Sequence, residues 1–355
     1  MKVLFLIPAP LNISPGQRFR FEHYLPLLEK QGIDYTVQSF WSVLAWKNLF
    51  HKGHLLSKSF GLLNGMMRRV FMLFTLFKFD YIFIYREVAP IGPPVFEWII
   101  SKIWRKKIIY DFDDAIWLRI SSSANPKAEL IKCSWKVKYI CKYSKIVSVG
   151  NNFLANYAST FNKKIQVIPT VVDTEKVHRG LKNQNDVPFT IGWTGTFTNF
   201  YHLAIISEAI NKLKEKYSIN YLIISNKDPQ LKNVEYSYKQ WEFETEIADL
   251  LQINIGVMPL YYSEFALGKC GFKAIQFMSL GIPVVVSPVG ANSEVVKNNE
   301  TGFWANSQEE WFYYLEKLIV NKELRIKMGQ NSQKFIIENY SVQATKELFL
   351  GLFQN

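Results

Sequence analysis

The chain has few cysteines, no long unbroken apolar run and a deficit of acid. Its three cysteines, Cys133, Cys141 and Cys270, are too few and odd in number for a disulfide framework, so a packed core must hold the fold and a reducing cytosol is the expected compartment. No charged-then-apolar leader opens the sequence, and the run Val3 to Ile7 is stopped by Pro8, which suits a buried strand better than a signal core. No stretch supplies the ~20 apolar residues of a membrane-spanning helix. The richest, Leu55 to Phe79, is interrupted by Lys58, Arg68, Arg69 and Lys78, and suits either an interfacial helix or a core helix with solvated charges. Asp and Glu number 30 against 42 Lys and Arg, a net charge of +12. That excess implies an anionic partner, which charge alone leaves open among nucleic acid, acidic lipid and a phosphorylated substrate. The basic residues are dispersed and no recognition motif is visible, which argues against nucleic acid.

What is present suits a folded α/β protein. The 355 residues, 48% apolar and 20% charged, accommodate two domains of ordinary size. Short apolar runs alternate with helical spacing in the first half, with strands expected at Val3 to Ile7, Tyr81 to Tyr85, Ile108 to Tyr110, Ile146 to Val149 and Val167 to Ile168. Phe21, Tyr24, Leu25 and Leu28 fall at helical spacing, with Pro26 expected to kink or restart the helix. The polar stretch Asp173 to Pro188 reads as a linker. A second series follows, with strands at Thr190 to Trp193, Tyr221 to Ile224, Ile253 to Met258 and Pro283 to Val286, and a helix face formed by Leu203, Ile206, Ile210, Leu213 and Tyr217. Two such units imply a ligand cleft between their strand C-termini.

The most informative segment is Leu267-Gly268-Lys269-Cys270-Gly271-Phe272-Lys273-Ala274-Ile275-Gln276, followed by Gly281-Ile282-Pro283-Val284-Val285 and by Gly290, Glu294 and Thr301-Gly302-Phe303. A glycine turn opening a helix leaves backbone N–H groups free, and with Lys269 and Lys273 it makes a seat for a diphosphate. Taken alone, a tight turn with two solvated lysines is the plainer explanation.

This segment resembles the donor-binding signature of glycosyltransferase family 4, the glycosyl transferases group 1, and the tail from Ile255 to Tyr340 is similar to that domain. The family carries two glutamates that contact the donor sugar and ribose; here Gly268 and Gln276 stand in their places. Gln276 can still bond a ribose hydroxyl. Ile191 to Thr198 resembles the family's first strand and glycine turn in the nucleotide domain, so Gly195 and Thr196 are donor-binding candidates, while the Arg and Lys common there are absent. Lys269 and Lys273 then supply the charge, with Cys270, Gly271 and Phe272 between them. His202 reads as a helix-surface residue. Asn254 to Leu260 resembles a further family strand, and Trp241 sits where family loops meet the nucleotide base, where it would either stack or serve as core.

In the first half, Gly16 in Ser14-Pro15-Gly16-Gln17-Arg18-Phe19-Arg20 sits where the family has a glycine loop near the donor phosphates. Arg18 and Arg20 are candidates for phosphate or acceptor binding. Tyr85-Arg86-Glu87 and Asp111-Phe112-Asp113-Asp114-Ala115-Ile116-Trp117 end strands, where side chains of a parallel sheet meet ligand. The second run resembles a subgroup that also carries the Lys-Cys-Gly-Phe-Lys motif. Arg86, Glu87, Asp113 and Asp114 are therefore the catalytic candidates, helix N-capping being the plainer role for the aspartates. No histidine matches the one the family uses near the donor sugar, since His51 and His54 lie in the apolar stretch.

The resemblance implies an α/β GT-B fold: two Rossmann-like domains facing across a cleft, 1–172 for the acceptor and 188–338 for the nucleotide sugar. Residues 339–355 would form a final helix, Ser341 to Phe353, returning to the first domain with Leu348, Phe349 and Leu352 buried. It further implies retaining transfer from a nucleoside diphosphate sugar, used as a substrate without cofactor or metal, to a saccharide that is free or lipid-linked. Surface polysaccharide or glycan synthesis is the expected setting, with the protein peripheral at the cytoplasmic face of the plasma membrane. Three alternatives stand beside it: an inactive scaffold or partner subunit with this fold, a metal-dependent enzyme using Asp111-Phe112-Asp113 as an Asp-x-Asp element, and a nucleic-acid binder.

Overall fold

The computed structural model describes residues 1–49, 53–118 and 131–354, and His51 lies outside them. The chain divides into two compact units, one of residues 1–169 with 346–355 and the other of 170–345. Each is a six-stranded sheet in which every pairing is parallel.

Unit 1 holds β1 (Lys2–Ile7), β2 (Asp34–Ser39), β3 (Tyr81–Tyr85), β4 (Lys107–Phe112), β5 (Ile146–Val149) and β6 (Ile165–Val167), in spatial order β2-β1-β3-β4-β5-β6. The order reverses beside β1, so the segments following β1 and β3 diverge there and leave a crevice at the strand C-termini. Phe5, Ile82, Phe83, Ile109 and Val147 are fully buried, because helices cover both faces of such a sheet. After β1 the chain makes the helix Pro15–Arg20, a 3-10 turn Glu22–Tyr24 and a new helix Leu25–Lys30 with Pro26 in its first turn, the restart that proline imposes.

Unit 2 holds β7 (Phe189–Gly195), β8 (Ile219–Ser225), β9 (Ser237–Gln240), β10 (Ile255–Met258), β11 (Val284–Val286) and β12 (Gly302–Trp304), in order β12-β11-β10-β7-β8-β9. Its switch point lies between β7 and β10. The expected single helix after β7 is instead a 3-10 segment, Phe197–Ile205, followed by the α-helix Ser207–Lys216. Leu203, Ile206, Ile210 and Leu213 are nonetheless buried as their spacing requires.

The segment after Asp173 is packed within unit 2 and is not a free linker. Lys182 N–H donates to Leu280 O at 2.9 Å and its ammonium to Leu251 O at 2.7 Å. Buried Gln184 bonds Asn254 O at 3.2 Å and accepts from Arg325 Nε at 3.2 Å. These backbone and side-chain bonds give a polar sequence a fixed place without apolar periodicity.

The last helix is Val342–Gly351, and residues 346–355 join unit 1. Phe349 stacks on Tyr24 with ring centroids 4.1 Å apart, and Phe353 meets Phe5 and Tyr81. Leu348, expected on the buried side, is 41% exposed, and Phe353 takes the inward place beside Phe349 and Leu352.

The strongest polar tie in unit 1 is buried. Arg20 donates through Nε to Asp111 Oδ1 at 3.1 Å and through Nη2 to Asp111 Oδ2 at 2.6 Å, to Ser148 Oγ at 3.3 Å and, through Nη1, to Ile168 O. This fork joins the segment after β1 to β4, β5 and the end of β6. Replacing Asp111 with Ala leaves the guanidinium buried without its counter-charge, and is expected to destabilise unit 1 by about 3–5 kcal/mol in denaturant unfolding. A loss below about 1 kcal/mol would show that the pair is dispensable.

Candidate active site

Each unit gathers its candidate residues at the C-terminal ends of its strands. In unit 1, β3 ends at Tyr85 and the next residue, Arg86, has φ 63°. This left-handed turn is stabilised by Arg86 N–H donating to Asp111 O at 2.8 Å and by the Tyr110 hydroxyl donating to Arg86 O at 2.7 Å. A non-glycine residue in that conformation is strained, and such strain is found where a side chain must be aimed. Here it directs the guanidinium onto two carboxylates. Arg86 Nε and Nη2 donate to Asp113 Oδ1 at 3.0 and 2.8 Å, and Nη2 donates to Asp114 Oδ2 at 2.5 Å. The Tyr85 hydroxyl donates to Asp113 Oδ1 at 2.8 Å.

Burial alone would raise the Asp113 carboxyl, but the Arg86 and Arg20 guanidiniums outweigh it and hold it below the usual carboxylate range. The Tyr85 hydroxyl is pushed well up by burial and by Asp113, against the pull of Arg86. Gly16 belongs here, because a Cβ on it would collide with the Tyr85 hydroxyl and come within 3.0 Å of Asp113 Oδ2. Glu87 turns elsewhere, to the buried ammonium of Lys136 at 2.7 Å. A cavity of about 60 Å³ is lined by Arg86, Glu87, Ile116, Lys132 and Lys136.

Arg20 does not join this group as an anion ligand. Arg20 is the structural clamp described above, and Arg18 is buried with its guanidinium 4.5 Å from the Phe19 ring centroid. The two carboxylates of the Asp-x-Asp element also part company, Asp111 serving Arg20 and Asp113 serving Arg86.

In unit 2, β7 ends at Gly195, where a Cβ would meet Trp193 and, at 2.7 Å, Lys273 Cε. The glycine thus lets the lysine stem lie against the strand end, with its ammonium 5.6 Å from the Trp193 ring centroid. Exposed Thr196 bonds Thr198 Oγ1 at 2.9 Å and accepts from Asn199 Nδ2 at 3.1 Å. Lys269 Nζ donates to Asn199 Oδ1 at 3.0 Å. Both lysines therefore converge on the turn after β7. Gly271, at φ 67°, caps the helix Phe272–Ser279, a conformation that glycine adopts without penalty. Cys270 beside it is buried against Gly268 O at 3.8 Å.

A second group joins the end of β9 to the middle of that helix. Trp241 Nε1 and Gln276 Nε2 both donate to Glu246 Oε1, at 3.0 and 3.3 Å. Gln276 and Glu246 are buried, whereas Trp241 is half-exposed. Sequence reasoning missed Glu246; the acidic residue five places after a candidate tryptophan was the available signal.

It also misplaced His202, which is buried, not on a helix surface. Its Nδ1 accepts from Tyr261 N–H at 3.0 Å, so the neutral ring carries its proton on Nε2. That atom is buried with no hydrogen-bond partner among the described residues. Burial, then the Lys269 and Lys273 ammoniums, lower the imidazole from 6.5 to about 4. The unfolded chain binds the proton more readily than the folded one across that interval, so this histidine's contribution to stability is full above about pH 6.5 and is lost as pH falls towards 4. An anion placed between the lysines would cancel part of their repulsion. In NMR titration the His202 resonance, assigned by its loss in His202→Asn, is expected near 4 in the free protein and higher with a nucleoside diphosphate present. A titration unmoved by ligand would place the anion elsewhere.

Residues 188–321 match the family described as glycosyl transferases group 1. An uncharacterized glycosyltransferase of Methanocaldococcus jannaschii is 24% identical over 308 residues, 78% of this chain and 77% of that one. Sucrose-phosphate synthase of Thermosynechococcus elongatus shares the fold with a TM-score of 0.68 at 13% identity, over 99% of each chain. The Anabaena HepE structure with UDP and glucose does so at 0.65 and 14% identity, over the full length of both. The two sheets are thus those of the GT-B fold. The match to the group 1 glycosyltransferases spans 188–321, within unit 2.

Proposed function

We propose that this protein is a glycosyltransferase that moves a sugar, with retention, from a nucleoside diphosphate donor to a saccharide acceptor, free or lipid-linked. The observation that carries the reading is the meeting of Lys269 and Lys273 with the Gly195–Thr196 turn, beside a helix start at Gly271. Two ammoniums and the backbone N–H groups of a helix start form a seat for a diphosphate. Anabaena HepE was solved with UDP-glucose, which makes uridine nucleotides the first donors to try.

In this reading unit 2, over 188–338, binds the donor. Trp241 stacks on the base, and Gln276, oriented by Glu246, bonds the ribose. The two lysines stabilise charge on the departing diphosphate, which takes the acceptor proton on the same face. Unit 1, over 1–172 with the helix in 339–355, holds the acceptor. Asp113, kept ionised by Arg86, and its neighbour Asp114 accept hydrogen bonds from its hydroxyls, and Gly16 leaves room for them. Catalysis then comes from positioning and electrostatic stabilisation. The setting is surface polysaccharide or glycan synthesis, at the cytoplasmic face of a membrane.

Replacing Lys269 and Lys273 together with Ala is expected to weaken UDP binding by ~10-fold or more while leaving the far-UV spectrum and melting intact. Unchanged affinity by calorimetry would remove both lysines from the site. Two guanidiniums occupy the Asp111 and Asp113 carboxylates, so transfer is also expected to survive EDTA. Loss of turnover with rescue by Mn²⁺ would favour the Asp-x-Asp enzyme. Gly268 and Gln276 in place of two glutamates give weight to an inactive scaffold, and donor binding with no transfer or hydrolysis would identify it.

A further inference from the structure

The helix Leu55–Leu73 of unit 1 turns its apolar side away from the protein. Its buried residues are Gly65, Arg69 and Met72, while Leu62 and Met66 pack on the small core of Phe40 and Trp41. On the opposite side stand Leu56, Phe60, Leu63, Met67, Phe71 and Phe74, exposed by 89, 71, 59, 49, 63 and 68%. Spaced three or four apart, they form one stripe along the helix. Phe77, 64% exposed, prolongs it. Single exposed apolar residues are ordinary, but a continuous stripe on an outward helix face marks a surface that something covers.

The rotation of this helix is fixed from inside. Arg69 is fully buried and donates to Val88 O at 2.9 Å, Ile7 O at 3.0 Å and Gln38 O at 3.0 Å. It is therefore a pin that sets the helix on the sheet, not one of the outward charges that its place beside Arg68 suggested. With Arg69 held inward, the stripe must face outward.

Charge identifies the occupant. No Asp or Glu occurs between Asp34 and Asp80, while Lys47, Lys52, Lys58, Arg68 and Lys78 do. A second copy of this chain seated on the same stripe would bring these charges against themselves. We propose that the stripe docks on an anionic lipid surface, its apolar side chains entering the headgroup boundary and the acid-free rim meeting lipid phosphates. Val95 and Trp98, also half-exposed, flank Phe96 of the same small core and extend the apolar area with an amphipathic ring. The inference deepens the reading of an acceptor carried at a membrane, but it rests on the surface of unit 1 alone.

The test is co-sedimentation of the full chain with phosphatidylcholine vesicles, with and without phosphatidylglycerol. Wild type is compared with an apolar variant (Leu63→Ser, Phe71→Ser, Phe74→Ser) and a charge variant (Arg68→Gln, Lys78→Gln), each checked for melting and UDP binding. Wild type is expected to bind the anionic vesicles, less at high salt but not negligibly. The apolar variant should lose ~10-fold or more of that binding and the charge variant about 10- to 30-fold, both retaining UDP. UDP binding separates failure of this surface from failure of the donor site. Equal sedimentation of all three proteins, or equal binding to neutral vesicles, would overturn the proposal. So would a concentration-dependent dimer of wild type, seen by analytical ultracentrifugation and absent from the apolar variant, which would make the stripe a contact between copies.

Discussion

The fork between Arg20 and Asp111 does more than fill charge inside unit 1. It binds the segment that follows β1 to the last turn of β4, and through Ser148 and Ile168 it reaches the two strands beyond. Asp113 is two residues past Asp111, so its position at the sheet edge is inherited from that buried pair. Arg86 depends on the same place, since its amide is held by Asp111 O. A desolvated pair of this sort is costly to form and stabilises little against an apolar substitute. What it supplies is geometry: strand ends held in register where two carboxylates and a guanidinium must meet.

The two units solve their electrostatics in opposite ways. At the ends of β3 and β4, unit 1 arranges its charged residues as closed pairs, with Asp111 on Arg20, Asp113 and Asp114 on Arg86, and Glu87 on Lys136. Unit 2 instead brings two lysines towards one turn and to the neighbourhood of an imidazole that burial, and then their charge, keeps neutral. Paired charges offer directional hydrogen bonds to neutral hydroxyls. Cations collected around one turn attract an anion. That contrast supports the proposed division of sugar acceptor and diphosphate donor between the units.

The central strands were legible because a strand buried on both faces needs a continuous apolar run, and Val3 to Ile7, Tyr81 to Tyr85 and Tyr221 to Ile224 provide one. The outer strands β2, β9 and β12 were not. Asp34–Ser39 alternates exposed with half-buried positions, and Ser237–Gln240 is polar throughout, so neither carries the signal that burial writes into a sequence. Lys269, Gly271 and Lys273 stood out because their signal is local: a turn, a helix start and two charges within five residues. Arg20, Arg69 and His202 could not be assigned from their surroundings in the chain. Asp111 is 91 residues from Arg20, and the Tyr261 amide is 59 from His202. Sequence neighbours make each look like a loop or surface residue, and only the fold delivers the partner that buries it.

The return of residues 346–355 to unit 1 has a bearing on how the protein is made. Phe349 covers Tyr24 and Phe83, and Phe353 covers Phe5 and Tyr81. All four of those rings emerge from the ribosome long before the residues that shield them. During synthesis the first sheet must wait, its aromatic surface uncovered, while all of unit 2 is translated. Its closure therefore follows the synthesis of unit 2, and a nascent chain stalled before residue 349 presents that surface to chaperones however well its strands have paired.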